Sequence, residues 1–187
     1  PAPGSPMNPL SIAHVASEMA PLAKVGGLGD VVSALASEQA KRGHRVLVVM
    51  PRYRDLKLPK GWTLTDWGAT RVPWGVGQEP ARFQIAEEEG GHLRALLVEH
   101  AGERRFFDRP GFYDDPNTGE GWPDNAERFL FFARAAVEAL KGFGETFDVI
   151  HAHDQQAAWV PCFVRTHEAD EPAFADVATI YTIHNLG

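Results

Sequence analysis

The chain has 187 residues, of which 44% are apolar and 23% are charged, so it can form one sizeable domain with a buried core. Its net charge of -7 with neutral histidines argues against a nucleic-acid partner, because binding a phosphate backbone requires a basic surface. Its apolar runs are far shorter than a membrane span, so we expect no membrane partner and a cytoplasmic location.

The N-terminal residues 1–9 are rich in proline, glycine and serine, a composition that predicts a disordered lead-in. Residues 10–187 contain no repeat and no clear domain boundary, so we expect them to form one domain. Within it, residues 12–16 are mostly small or β-branched apolar residues. They predict a short buried strand, even though His14 interrupts the run.

A helix and a second strand are predicted to follow. Apolar positions recur at helical spacing over residues 28–36, and Gly43 stands where such a helix should end. The apolar run over residues 45–50 predicts the second buried strand. Strand, glycine-containing loop, helix and strand make a βαβ unit, which implies parallel strands joined by a right-handed crossover.

The middle of the chain has a different pattern. Residues 62–72, 81–87 and 93–98 resemble strands separated by Gly/Pro turns, which predicts a hairpin or meander at one edge of the sheet. Residues 104–124 form a long loop rich in Gly, Pro, Asp and aromatic residues. Loops of this length are either functional or disordered, and the aromatic side chains indicate that this one is ordered.

Alternating helices and strands complete the chain. A helix with one apolar face is predicted to begin near Asp124. Residues 147–151 predict a third core strand, residues 155–167 a helix with Pro161 near a kink or its first turn, and residues 177–183 a last strand. The predicted fold is α/β: an open, mostly parallel, twisted Rossmann-like sheet with helices on both faces and an edge β-hairpin region.

Three polar segments follow predicted strands, at the carboxyl edge where ligands bind in such sheets: residues 17–30, 151–154 and 184–185. In the first segment, Gly26 and Gly27 leave backbone N–H groups uncovered before a helix, and Lys24 adds a cation. This arrangement either binds a phosphate or merely makes a tight turn. It lacks the Walker A order, and it is a weak match to a dinucleotide fingerprint.

His151 and His153 alternate on a strand and therefore share a face, and Asp154 follows them. They could ligate a metal ion, contact substrate hydroxyls, or include a hydrogen-bonded core histidine. The acidic stretch of residues 114–120 fails the EF-hand calcium pattern. A solvated or sugar-facing loop explains this stretch better. In it, Tyr113 and Trp122 either stack on sugar faces or pack in the protein.

Several motifs together carry a resemblance to a known family. They run in order from about Ile12 to the end of the chain: Ser17-Glu18-Met19, Pro21-Leu22, Lys24-Val25-Gly26-Gly27-Leu28-Gly29-Asp30-Val31, Asp108-Arg109-Pro110 with Tyr113, Asp124-Asn125 with Arg128-Phe129, Asp148-Val149-Ile150-His151-Ala152-His153-Asp154, and Thr182-Ile183-His184-Asn185-Leu186. In these motifs the sequence resembles the N-terminal, acceptor-side domain of bacterial glycogen synthases and plant starch synthases.

The resemblance implies a GT-B fold, in which two Rossmann-like domains face each other across a cleft. It implies transfer of glucose from ADP-glucose to the 4-hydroxyl end of an α-1,4-glucan such as glycogen or a maltooligosaccharide, with retention of configuration and with no metal and no cofactor. The second domain would follow Gly187, and with it most of the adenosine pocket and further catalytic groups. We therefore expect the 187 residues alone to be inactive.

The resemblance also assigns roles to residues on the donor side. Lys24 would pair with the phosphates of the sugar nucleotide, and Gly26 and Gly27 would offer backbone N–H groups to the diphosphate. Asp30 and Asp154 would hold hydroxyls of the donor or acceptor glucose. We expect Asp154 to be one of two catalytic residues.

The second expected catalytic residue is His184, which through its backbone carbonyl or its ring would lie beside the reacting anomeric carbon and its hydroxymethyl group. Tyr113 and Asn125 would line the acceptor channel. Gln155 and Gln156 depart from the family pattern, because the family often has an aromatic residue directly after its His-x-His-Asp motif.

Two other functions compete with the synthase hypothesis. A truncated synthase could act as a non-catalytic glucan-binding module. A Rossmann-type oxidoreductase is the third hypothesis. Against it, Val32 replaces the third fingerprint glycine, and Met50-Pro51-Arg52 stands where an acidic residue should end the second strand. The choice between ADP-glucose and UDP-glucose would be made in the second domain.

Overall fold

A computed structural model of the chain describes residues 8–185. Residues 1–7 of the predicted lead-in and the last two residues lie outside the described part. The described elements, in chain order, are β1 (Ser11–Val15), α1 (Gly27–Lys41), β2 (Arg45–Pro51), β3 (Trp62–Trp74), β4 (Gly77–Glu88), β5 (Arg94–His100), α2 (Asn125–Lys141), β6 (Val149–His153), α3 (Asp154–Ala157), α4 (Trp159–Arg165), a 3-10 turn (Pro172–Phe174) and β7 (Ala178–Thr182).

All seven strands belong to one sheet in the order β3-β4-β5-β2-β1-β6-β7. The strands from β5 to β7 pair in parallel, whereas β3, β4 and β5 pair antiparallel. The predicted mostly parallel sheet and its edge hairpin are therefore confirmed. Every residue of β1 is buried, so both faces of the sheet are covered at its centre, and β1 and β6 end side by side at the carboxyl edge.

Helix α1 ends where the sequence predicts, because Gly43 adopts a positive φ of 90°. The Gly43 N–H donates to the Ala40 carbonyl, and the His44 N–H donates to the Gln39 carbonyl. This pair of bonds is a Schellman motif, which satisfies carbonyls that the helix end would leave unpaired. The chain then turns directly into β2, which fixes the position of α1 against the sheet.

Helix α2 is buried over much more of its surface than one apolar stripe predicts. The stripe itself is buried, and so are Phe131, Ala135 and the polar Arg128 on other sides. The long loop over residues 101–124 explains this burial, because its Phe106 packs against Phe131 with ring centroids 5.6 Å apart. The aromatic residues thus order the loop, as expected. Among residues 8–185, no helix combines the length and apolarity needed to cross a bilayer.

Two predicted elements differ from the structure. The third core strand lies two residues later than expected, since β6 runs from Val149 to His153. Asp148 precedes the strand, and its carboxylate accepts a hydrogen bond from the Ser11 N–H at 2.7 Å. The predicted helix over residues 155–167 is two short helices that meet at Ala158. Pro161 lies in the first turn of the second, where its missing N–H does no harm.

Candidate functional site

One cavity of about 650 Å³ lies at the carboxyl edge of the sheet. It is bounded by the loop after β1, the start of α1, the end of β6 and the segment after β7. Five of the predicted site residues line it: Gly26, Gly27, Tyr113, Asp154 and His184. The structure thus brings together residues that are up to 158 positions apart in the chain, as the parallel topology requires.

Glu18 organises the glycine loop, a role that the sequence analysis missed. Its buried carboxylate accepts the N–H of Val25 at 2.6 Å and the N–H of Gly26 at 3.1 Å through Oε2. Its Oε1 accepts the Tyr113 hydroxyl at 2.7 Å. The Gly26 N–H, which we expected to contact a diphosphate, is therefore already engaged inside the protein.

The first turn of α1 remains available for an anion. No side chain caps the helix at Gly26, and within residues 8–185 the N–H of Gly27 has no hydrogen-bond acceptor. A Cβ atom at Gly27 would meet nothing within 4 Å, so the backbone is open to the cavity. Free N–H groups and the helix dipole make such an end attractive to phosphate.

Lys24 and Asp30 do not line the cavity but lie beside it. The Lys24 Nζ forms an ion pair with Asp30 at 2.6 Å, and both side chains are about half exposed. The stem of Lys24 lies over Gly29, where an added Cβ would come within 3.3 Å of it. Asp30 thus holds the ammonium group near the start of α1, and an incoming phosphate would compete with Asp30 for that cation.

Asp154 connects the ends of β6 and β7. Its Oδ1 accepts the backbone N–H of His184 at 2.6 Å and of Asn185 at 3.4 Å. Its own φ is +57°, a left-handed conformation that costs a non-glycine residue on the order of 1 kcal/mol. The strained backbone and the carboxylate together fix where His184 sits in the cavity wall.

Behind His184, two imidazoles and an amide continue a hydrogen-bonded chain that begins at its ring. His14 Nε2 contacts Gln39 Oε1 at 2.7 Å, and His14 Nδ1 contacts His153 Nε2 at 3.0 Å. His153 Nδ1 then contacts His184 Nε2 at 2.9 Å. The interruption of the first strand by His14 was the signal in the sequence for this chain, but its partners become visible only in three dimensions.

Burial lowers the pKa of His14, His151 and His153, and for His151 and His153 repulsion from neighbouring charged histidines adds to the effect. The pKa of His14 is lowered, that of His151 falls to about 4 and that of His153 to about 2. All three are therefore neutral at pH 7. Their nitrogens lie within 4.8 Å of one another, close enough to hold a metal ion. Such an ion would have to replace the hydrogen bond between His14 and His153.

A second cavity of about 530 Å³ adjoins the first. The two share Tyr113, Gln155 and Gln156 in their walls, and Asn125 and Trp159 line the second. Trp159 is 51% exposed, and the sequence analysis assigned it no role. An exposed indole beside amide side chains has the chemistry of a carbohydrate-binding groove, with a flat apolar face flanked by hydrogen-bonding groups.

Asn125 also has a structural role. Its Nδ2 donates to the Tyr113 carbonyl at 2.8 Å, and its Oδ1 accepts from Arg128 Nε at 2.9 Å. Burial lowers the pKa of Arg128 to about 10, which leaves it charged at pH 7. Burial raises the pKa of Tyr113, so its hydroxyl stays protonated and donates to Glu18. Asn125 therefore fixes the loop that carries Tyr113.

Comparisons with known proteins find relatives along almost the whole chain. Residues 11–187 match the family described as the starch synthase catalytic domain. The chain is 38% identical over 181 residues to glycogen synthase 1 of Geobacter metallireducens, covering 96% of this chain and 35% of that protein. It is 38% identical over 178 residues to the glycogen synthase of Koribacter versatilis, with 95% and 35% covered.

A solved structure resembles the fold closely. The catalytic domain of starch synthase IV from Arabidopsis thaliana, bound to ADP and acarbose, superimposes with a TM-score of 0.85 at 31% identity. The match covers 95% of this chain and 34% of that one. The chain thus spans about a third of the length of the proteins it matches.

Proposed function

The chain belongs to the family of starch synthase catalytic domains, and from that premise we propose that it is the acceptor-side domain of a retaining glucosyltransferase of the glycogen synthase type. The complete enzyme transfers glucose from ADP-glucose to the 4-hydroxyl end of an α-1,4-glucan. A relative whose structure was solved with ADP and acarbose supports the proposal of an adenine nucleotide donor and a glucan acceptor. The cytoplasmic location and the independence from metals and cofactors are part of the proposal.

The observation that carries the proposal is the convergence of two kinds of group on one cavity. The open N-terminus of α1 at Gly27 lies on one side, and Asp154 and His184 lie on the other. Breaking a glycosyl–phosphate bond develops negative charge on the phosphate and positive charge on the sugar. A helix N-terminus stabilises the first charge, and a carboxylate or carbonyl oxygen stabilises the second.

On the donor side, the Gly27 N–H binds the diphosphate. Gly26 shapes the loop, and its N–H also binds the diphosphate when ligand binding breaks its hydrogen bond to Glu18. Lys24 exchanges Asp30 for a phosphate, which frees the Asp30 carboxylate for a sugar hydroxyl. This exchange needs only a side-chain rotation, because the Lys24–Asp30 pair is half exposed.

On the sugar side, His184 contacts the transferred glucose. Asp154 positions His184 through Oδ1, and the second carboxylate oxygen of Asp154 is available for a sugar hydroxyl. The acceptor glucan enters through the second cavity, between Tyr113 and Trp159. Asn125 holds Tyr113 in place from behind.

The glucan-binding module is the second candidate, and the groove beside Trp159 favours it. The two functions differ in their need for the donor. A binding module has affinity for maltooligosaccharides and none for ADP-glucose, whereas a synthase domain contributes to binding both.

Replacing Lys24 by alanine in the complete enzyme separates these candidates. We expect a loss of about tenfold or more in ADP-glucose affinity with unchanged affinity for maltoheptaose, because one charge-assisted phosphate contact contributes about 1.5–3 kcal/mol. Lys60→Ala is the matched control, since Lys60 is an exposed lysine that lines neither cavity. Equal ADP-glucose affinity in both variants and the unaltered enzyme would refute the donor role.

A further inference from the structure

The row of hydrogen bonds that runs from α1 to the cavity has a direction. We propose that Gln39, His14 and His153 act as positioning residues that fix the tautomer of His184, leaving its Nδ1 as a hydrogen-bond acceptor at the site. The inference deepens the proposed function and rests on it for the meaning of the site. The hydrogen-bond chain itself stands on geometry alone.

The four groups make three consecutive contacts of 2.7, 3.0 and 2.9 Å. His14 and His153 are fully buried, so water does not reach the link between them. Pairing of β1 with β6 places His14 opposite His151, one step from His153 on the same face of the sheet. The strand register therefore builds the row, and a one-residue slip would destroy it.

Counting protons gives the direction. A neutral imidazole carries one N–H and one acceptor nitrogen, and these histidines are neutral at pH 7 because burial lowers the pKa of His14 and His153. The structure orients the Gln39 amide with Oε1 towards His14, and since this oxygen only accepts, His14 carries its proton on Nε2 and accepts at Nδ1. His153 then donates from Nε2 to His14 and accepts at Nδ1.

The hydrogen bond between His153 and His184 extends this proton arrangement to the cavity. Because His153 Nδ1 must accept, His184 donates from Nε2, and the neutral form of its ring then has its lone pair on Nδ1. His184 is exposed and lines the cavity, and its backbone is held by Asp154 at 2.6 Å. An amide near the C-terminal end of α1 thus determines that His184 offers the ligand an acceptor, suited to a sugar hydroxyl that donates.

This direction can be reversed at its origin without touching the cavity. Gln39 lies on α1 and is partly exposed, and neither cavity of the site includes it. Gln39→Glu keeps an acceptor of the same shape. Gln39→Lys supplies only donors, which forces His14 to accept at Nε2 and turns every link around. Gln39→Leu removes the partner altogether.

The tautomers can be read by long-range ¹H–¹⁵N NMR spectra of the protein labelled at histidine. In the unaltered protein and in Gln39→Glu we expect His14, His153 and His184 to carry their protons on Nε2. In Gln39→Lys we expect all three protons on Nδ1. If that variant does not fold, Gln39→Leu should show His184 as a mixture of tautomers. A His184 tautomer that is the same in Glu, Lys and Leu variants would overturn the proposal.

Activity of the complete enzyme then tests the use of this tautomer separately. We expect Gln39→Lys to lower kcat/KM at least about tenfold relative to Gln39→Glu, with unchanged affinity for the glucan. If His184 changes tautomer while kcat/KM stays the same, the hydrogen-bond chain is supported and the assignment of His184 to the reacting sugar fails.

Discussion

Removing the Glu18 side chain is expected to disorganise the glycine loop from inside the protein, whereas removing only its charge is not. One carboxylate accepts three hydrogen bonds, from Val25 N–H, Gly26 N–H and the Tyr113 hydroxyl. In Glu18→Gln the amide oxygen can still face the two backbone N–H groups. Its NH₂ group then faces Tyr113, whose hydroxyl can turn to donate to Ser17 Oγ, 2.7 Å away. The loop keeps its shape in this variant.

The sizes of the two expected effects differ because the number of orphaned groups differs. Glu18→Gln exchanges charge-assisted bonds for neutral ones, which costs about 1–2 kcal/mol of the free energy of unfolding. Glu18→Ala leaves the N–H groups of Val25 and Gly26 without their acceptor, while the Tyr113 hydroxyl keeps Ser17 as a partner. At roughly 1–3 kcal/mol for each of these two part-buried bonds, the loss is about 2–6 kcal/mol of the free energy of unfolding.

Urea unfolding followed by circular dichroism measures both losses. Tyr113→Phe is the control, because it removes one of the three bonds and leaves the loop amides paired with Glu18. We expect the order of stability to be unaltered protein, then Tyr113→Phe and Glu18→Gln within about 1 kcal/mol of each other, then Glu18→Ala. A Glu18→Ala protein as stable as Tyr113→Phe would refute the claim that Glu18 holds the loop.

Two further predictions concern stability away from the cavity. Burial raises the pKa of Glu168, but its ion pairs with Arg134 at 2.5 Å and Lys141 at 3.0 Å outweigh this and lower it. Glu168→Gln should therefore lower the free energy of unfolding by about 2 kcal/mol at pH 7. Urea titrations should show the difference between the variant and the unaltered protein shrinking as the pH falls below about 4.5 towards the pKa of Glu168 in the folded state. A difference that does not depend on pH would contradict the pairing. Gly43→Ala should lower the free energy of unfolding by about 1–2 kcal/mol, because the backbone φ of 90° at this position is strained for a residue with a Cβ atom. Gly43→Asn should lower it by less. Equal stability of both variants and the unaltered protein would exclude strain at this position.

The centre of the fold follows from local sequence patterns. The run that became β2, the helical spacing of α1 and the stop at Gly43 are properties of short segments, and their βαβ order dictates parallel pairing. The shift of β6 by two residues could not be read in this way. Phe147 is apolar and buried but precedes the strand, and only pairing with β1 decides where the strand begins.

The candidate site was predictable as a location but not in its contacts. Strand ends meet at one edge in any parallel sheet, so Asp154 and His184 could be placed near the glycine loop. The engagement of the Gly26 N–H by Glu18 and the row of histidines depend on distances between side chains from separate elements. A buried charge such as Glu18 has to be satisfied by some partner, and the sequence does not identify that partner.

The central claim is that the start of α1 and Lys24 bind the diphosphate at the cavity shared with Asp154 and His184. A crystal structure of the complete enzyme with ADP tests it most directly. We predict a phosphate oxygen about 3 Å from the Gly27 N–H, with Lys24 Nζ turned from Asp30 to the diphosphate. A diphosphate bound away from the first turn of α1, with the 2.6 Å Lys24–Asp30 pair intact, would contradict the account.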